Sequence, residues 1–260
     1  MNIILQILKM MKMYKSFLYK IIIILYKMVH DVFKCFDKVI PVGGNCYFKL
    51  YFTLMKYNQE TYFFDYLGSP MWAVNQLIDN GFKNLFIRED YVNMNILSNK
   101  PDEYIYTNKK YYLVIKHDFK NQKFKKGEII LTNEQFNEFQ TKYERRIERF
   151  NELMNTNKNI LFLRFQEHKN KVIYPEYEEL YKKSELEYMF EFSDLIKTKF
   201  STLKFKIIYI TKDFDNKYYE DKNLIVLKDY INIDNWVKAS FQIKQLFIEN
   251  KDFLLDCINN

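Results

Sequence analysis

The strongest local constraint on this chain is the run Val39-Ile40-Pro41-Val42, which passes directly into Gly43-Gly44-Asn45-Cys46. A short β-branched run bounded by turn residues reads as a buried strand. Two adjacent glycines allow the sharp reversal that a side chain would resist. The apolar periodicity of Tyr47 to Met55 then predicts a helix. Cys46 therefore falls in the first turn of that helix, where unpaired N–H groups and the macrodipole favour negative charge. A thiol so placed is biased toward thiolate, the nucleophilic form. The same residue also fits a plain packing role, because cysteine is among the residue types most often buried.

Further along, strand and helix patterns alternate. Ser69-Pro70 opens a helix from Met71 to Ile78, and Asn80-Gly81 ends it. Residues 82–110 show no clear period and read as loops and short strands. Tyr111-Tyr112-Leu113-Val114-Ile115 is a strand that delivers His117-Asp118 at its end. Thr132 and Gln135 form a capping-box pattern ahead of a long helix, whose apolar stripe is Phe136, Phe139, Tyr143, Ile147, Phe150 and Met154. Strands at Ile160–Phe165, Phe205–Ile210 and Leu224–Leu227 follow, with helical stretches near 176–200 and 234–249. Such alternation points to an α/β fold with a mostly parallel sheet flanked by helices. Ligands gather beyond the carboxyl ends of such strands, and Cys46, His117 and Gln166 to His168 all lie just after predicted ones. No linker-like stretch interrupts residues 37–260, which read as a single α/β domain.

Residues 1–36 carry six lysines against Asp31, +5 of the chain's +7, which leaves +2 for the rest. The body is nearly neutral, so no nucleic-acid-binding face is implied. The segment is too interrupted by lysine to span a bilayer. Projected as a helix, Lys9, Lys12, Ser16, Lys20, Lys27, His30, Asp31 and Lys34 fall within an arc of about 100°. That describes an N-terminal amphipathic helical arm with a basic stripe, a candidate for peripheral membrane contact.

Cys35, Cys46 and Cys257 are odd in number and lack CxxC spacing, which fits a reducing, cytoplasmic setting and neither a disulfide framework nor a zinc site. Five glycines supply no dinucleotide fingerprint and no phosphate loop. No cofactor or metal is expected. Arg164 stands out, because a guanidinium inside an apolar strand needs a carboxylate or an anionic ligand. Asp65 is one candidate partner. Arg145, Arg146 and Arg149, interleaved with Glu144, Glu148 and Glu152, read as a solvated, salt-bridged helix face.

Several blocks together, Pro41–Cys46, Phe64-Asp65-Tyr66, His117-Asp118-Phe119, Tyr143–Phe150 and Leu161–Arg164, resemble the DUF1796 family, described as putative papain-like cysteine peptidases. The resemblance runs from about Val39 to Ile210. It implies a Cys nucleophile and a His base, carried here by Cys46 and His117, acting on a peptide or other acyl substrate. Asp118 and Asp65 are both candidates to orient the imidazole. Papain-like enzymes carry that histidine on a largely antiparallel sheet, whereas the alternation here reads as parallel. The competing function is a binding or transferase-like α/β domain. It would hold an anionic or sugar-nucleotide ligand at Gly44, Asn45 and Arg164, with Cys46 unreactive.

Overall fold

Parallel strands buried on both faces are near-continuous apolar runs, and Ile160–Phe165 and Phe205–Ile210 are the longest of these. In the computed structural model they are adjacent strands inside the central sheet. Described here are residues 32–44, 46–54, 60–93, 106–116, 118–119, 131–166, 175–229 and 236–259. The N-terminal amphipathic helix expected from the sequence falls largely outside them.

A five-stranded sheet contains β1 (Lys38–Pro41), β6 (Asn159–Phe165), β7 (Lys204–Thr211), β9 (Leu224–Lys228) and β8 (Lys217–Tyr219), in the order β1-β6-β7-β9-β8. The first four run parallel, and β8 pairs antiparallel with β9. A second, four-stranded antiparallel sheet has the order β2-β5-β4-β3. Its strands are β2 (Leu67–Gly68), β3 (Tyr91–Asn93), β4 (Tyr106–Asn108) and β5 (Leu113–Ile115). The fold is thus α/β with a mostly parallel sheet, as the alternation predicts. Of the antiparallel strands only β5 shows in the sequence, inside the predicted run Tyr111–Ile115; β3 and β4 lie in the stretch without period, and two- and three-residue strands are too short to show one. Strand β5 ends at Ile115, two residues ahead of His117 in the chain.

Six helices complete the described residues: α1 (Tyr47–Leu54), α2 (Met71–Asp79), α3 (Asn133–Met154), α4 (Glu185–Lys199), α5 (Trp236–Glu249) and α6 (Lys251–Asn259). The cap that starts α3 forms as expected. Thr132 Oγ1 accepts from the Gln135 N–H at 3.2 Å, and Gln135 Oε1 accepts from the Thr132 N–H at 3.1 Å. Its apolar stripe packs on the short 3-10 turn Phe63–Tyr66. Phe63 meets Tyr143 edge-on at 5.5 Å, and Phe64 meets Phe150 at 6.2 Å. Helices α2 and α4 pack together, joined by Asn75 Nδ2 donating to the Tyr188 carbonyl at 2.9 Å. Phe192 of α4 lies edge-on to Phe162 of β6 at 5.2 Å.

The chain divides into two compact units. Both sheets and α1 to α4 belong to Phe36–Tyr230, and α5 and α6 group with Val32–Cys35 in the other. Within that smaller unit Phe33 meets Phe247 edge-on at 5.2 Å, over buried Ile243, Leu246 and Leu254. Among the described residues no helix is long and apolar enough to cross a membrane.

The aromatic seam between α3 and the Phe63–Tyr66 turn leaves little room to relax. Phe150 is fully buried and touches both Phe64 and Phe82. Phe150→Ala is expected to cost about 3–5 kcal/mol in urea unfolding; a loss below about 1 kcal/mol would mean that this seam is not tightly packed.

Candidate functional site

The glycine turn that delivers Cys46 is locked from three sides. Val42 N–H continues the β1–β6 pairing by donating to the Leu163 carbonyl at 2.9 Å. Gly43 and Gly44 then adopt φ of +74° and +83°, the left-handed region in which a side chain is strained. Space forbids one as well. A Cβ on Gly43 would sit 1.8 Å from Ser69 Oγ, and one on Gly44 would sit 2.4 Å from the Phe165 carbonyl oxygen. The Gly44 N–H donates to the Ser69 carbonyl at 3.2 Å.

Beneath the turn lies Arg164, fully buried. Its Nη1 donates to the carbonyls of Val42 and Ser69, each at 2.9 Å, and its Nε donates to Glu185 Oε1 at 2.6 Å. The carboxylate that answers this guanidinium is therefore Glu185 and not Asp65. The capping residues of α4 bring Glu185 to the end of β6, a proximity that sequence distance concealed. Asp65 has its own partner. Lys49, one turn into α1, pairs with Asp65 Oδ2 at 2.9 Å, and the Tyr62 N–H donates to the same oxygen at 3.1 Å. Asp65 Oδ1 is buried without a hydrogen-bond partner among the described residues. Burial pushes the Asp65 carboxyl above its usual value, with Lys49 and the Tyr62 N–H opposing.

Cys46 is half-buried at the residue before α1. Its thiol is pushed up by burial, against the pull of Lys116 and of its own backbone N–H. The expected bias toward thiolate is thus outweighed here, because desolvation penalises the anion by more than one lysine and a helix start return.

Asp118 is held on both oxygens. Lys142 pairs with Oδ1, and the Tyr143 hydroxyl donates to Oδ2 at 2.8 Å. Tyr66 links these groups electrostatically. Burial raises its hydroxyl first and Asp65 next, with smaller contributions from Cys46 and Asp118, while Arg146 opposes them. Arg146 lies over the Tyr143 ring at 4.5 Å and the Tyr66 ring at 5.6 Å, and its buried Nη1 has no hydrogen-bond partner among the described residues.

Arg146 corrects the reading of the arginine cluster as a solvated face. It is buried, and Arg149 Nη1 reaches the Thr61 carbonyl at 2.5 Å, while Arg145 is exposed. The signal was present in the spacing. Arg146 sits three residues after Tyr143 and four before Phe150, inside the apolar stripe. Lys49, Lys116 and Tyr66 were missed as neighbours of the site because no local pattern marks them. Asn45, His117 and His168 lie outside the described residues.

Two substitutions test the lock. Arg164→Met leaves Glu185, whose side chain is 15% exposed, without its cation. The expected loss is about 3 kcal/mol, the lower end for breaking a buried pair, because Glu185 can partly hydrate. Gly44→Ala should cost at least about 1–2 kcal/mol from backbone strain alone, and more once the Phe165 carbonyl is displaced. Urea titration of either variant at wild-type stability would remove the turn's dependence on these contacts.

Comparison with curated proteins and with solved structures gives no match. The family comparison does match: the model for DUF1796, described as "Putative papain-like cysteine peptidase", aligns with residues 37–214. That span holds both sheets up to β7, the glycine turn, Cys46, His117 and Arg164. With well over half of its length matched, the chain belongs to the DUF1796 family.

Proposed function

We propose that this protein is a thiol hydrolase, a papain-like cysteine peptidase in which Cys46 is the nucleophile and His117 the general base. The observation that carries this reading is the placement of Cys46. It stands on a rigidly held turn, half-buried, at the carboxyl end of the parallel sheet, inside the matched family span. His117 follows β5 of the antiparallel sheet by two residues in sequence, and Lys116, between them, acts electrostatically on Cys46.

The raised thiol gives the base its task. In the resting site the sulfur is protonated, so attack requires a group that removes the proton as the bond forms. Cys46 Sγ adds to the acyl carbon while His117 takes the thiol proton. The C–N bond of the adduct then breaks, and that proton passes to the leaving amine. Water, deprotonated by the same imidazole, releases the acid and restores the thiol. Backbone N–H groups in the first turn of α1, which lack intrahelical acceptors, are the donors on hand for the oxyanion. Of the two candidate orienting carboxylates, Asp65 is favoured, because its Oδ1 has no partner among the described residues whereas Asp118 has both oxygens engaged.

A ligand-binding role for Gly44, Asn45 and Arg164 has less support. The Gly44 N–H is bonded to Ser69, and Arg164 is committed to Glu185, Val42 and Ser69. Peripheral attachment through residues 1–36, in a cytoplasmic setting, rests on their lysine stripe. It predicts vesicle binding that needs anionic lipid and weakens with salt.

The functional test is hydrolysis of a mixed peptide pool followed by mass spectrometry. Cys46→Ala should abolish turnover, and His117→Ala should lower it by about 10²–10⁴-fold. Cleavage that survives Cys46→Ala would end the hydrolase reading. A separate measurement follows from the thiol's setting. Iodoacetamide labelling of Cys46 should inflect above the ordinary thiol value of about 8.5, and Lys116→Met, which removes a cation favouring thiolate, should move it further up. An inflection well below that value, or one blind to Lys116→Met, would contradict the balance of burial and charge described above.

A further inference from the structure

Beyond the carboxyl ends of β6 and β7 the fold leaves a cleft of about 220 Å³. Its apolar lining includes Met71 and Trp72 from the start of α2, Leu180, and Phe214 after β7. Tyr209 of β7 and Glu185 of α4 contribute polar groups, and Gln166 and Asp213 stand where the two strands end.

Two lining residues carry buried donors that the fold does not satisfy. Trp72 Nε1 and the Tyr209 hydroxyl have no hydrogen-bond partner among the described residues, and both side chains are more than nine-tenths buried. Thr211 interacts with the Tyr209 hydroxyl without reaching hydrogen-bond geometry, and its own hydroxyl donates to Gln166 Oε1 at 2.9 Å and accepts from the Asp213 N–H at 3.0 Å. A third donor of the same kind, Arg164 Nη2, belongs to the residue paired across the strands with Tyr209. Buried donors without acceptors are rare in folded proteins, and each one asks what occupies the space beside it.

Charge selects among acceptors. Glu185 already binds Arg164, and the Gln166 amide donates to Asp213. Lys182 and Lys183 of the lining are paired with Glu179 and Glu191. Among the lining residues the two carboxylates face only two lysines, both already paired, and this balance disfavours an anionic guest. A neutral acceptor with an apolar body fits instead, and a peptide carbonyl beside an apolar side chain is that combination. One carbonyl oxygen has two lone pairs and can accept from both an indole N–H and a phenol O–H.

The cleft also adjoins the Cys46 turn. Pro70 follows Ser69, which accepts from the Gly44 N–H, and Gln166 follows Phe165, whose carbonyl closes on Gly44. Glu185 lines the cleft and grips the guanidinium beneath the turn. Resting on the hydrolase reading above, we propose that this cleft is a specificity pocket that seats an apolar side chain of the substrate and its adjoining backbone carbonyl, held by Trp72 Nε1 and the Tyr209 hydroxyl.

Trp72 is its own reporter. The chain has two tryptophans, so Trp236→Phe leaves Trp72 as the sole indole. In that variant combined with Cys46→Ala, which prevents turnover, N-acetyl-leucine amide should shift the indole emission saturably. N-acetyl-aspartate amide should not. Tyr209→Phe, with folding checked by urea titration, should weaken binding of the leucine amide by about five- to tenfold, the loss of one hydrogen bond. Absence of a saturable shift, equal binding of the aspartate amide, or indifference to Tyr209→Phe would each overturn the proposal. Leucine-amide binding without any peptide cleavage by the unmodified protein would uphold the pocket and reject the hydrolase. Cleavage by Cys46 with no preference for apolar residues would do the reverse.

Discussion

Much of this structure depends on one buried guanidinium. Arg164 stands fully buried in a strand inside the central sheet, where an unpaired charge would be intolerable. Its planar fork divides the work: Nε meets the Glu185 carboxylate, and Nη1 bridges the carbonyls of Val42 and Ser69. Val42 extends β1 of the parallel sheet, and Ser69 follows β2 of the antiparallel sheet. The arginine therefore ties the ends of strands from both sheets to the middle of one. A lysine could neutralise Glu185 but could not present the same fixed set of donors. The glycine turn fits over this group so closely that neither Gly43 nor Gly44 has room for a Cβ.

The seam between the sheets is also where the chemistry gathers. Cys46 leaves the parallel sheet, while Lys116 and Asp118 come from the chain that leaves β5. Behind them the Phe63–Tyr66 turn presents Asp65 and Tyr66, and α3 supplies Lys142, Tyr143 and Arg146. Burial sets the electrostatic tone. It raises the Cys46 thiol, the Asp65 carboxyl and the Tyr66 hydroxyl, so each favours its neutral form more than it would in water. Lysine and arginine partners oppose this without overcoming it.

The sequence disclosed the parts of the fold that depend on long, regular patterns. β6 and β7 are apolar runs, each interrupted by one cation (Arg164 and Lys206), and α3 shows both a cap and a stripe, so all three were legible. In the antiparallel sheet only β5 was, within the run Tyr111–Ile115; β2 has two residues, and β3 and β4 have three each. Such strands are defined by their partners and carry no period of their own. At the site, the glycine turn and the anomaly of Arg164 were visible in one dimension. The identity of its partner was not: Glu185 is a helix-start residue 21 positions away, brought to the strand end by α4. Arg146 was misread because its neighbours in sequence are charged, while its neighbours at helical spacing are Tyr143 and Phe150. The resting state of Cys46 also needed the third dimension, since desolvation depends on what closes over the thiol.

The account's central claim is that the turn bearing Cys46 is held by the fork of Arg164. Amide hydrogen exchange at Gly44, compared between the wild-type protein and Arg164→Lys, tests it directly. Lysine keeps the charge opposite Glu185 but loses the bridge to the Val42 and Ser69 carbonyls. The account predicts that Gly44 loses protection in the lysine variant while amides in β6 and β7 stay protected. Unchanged protection at Gly44, with the variant folded, would contradict it.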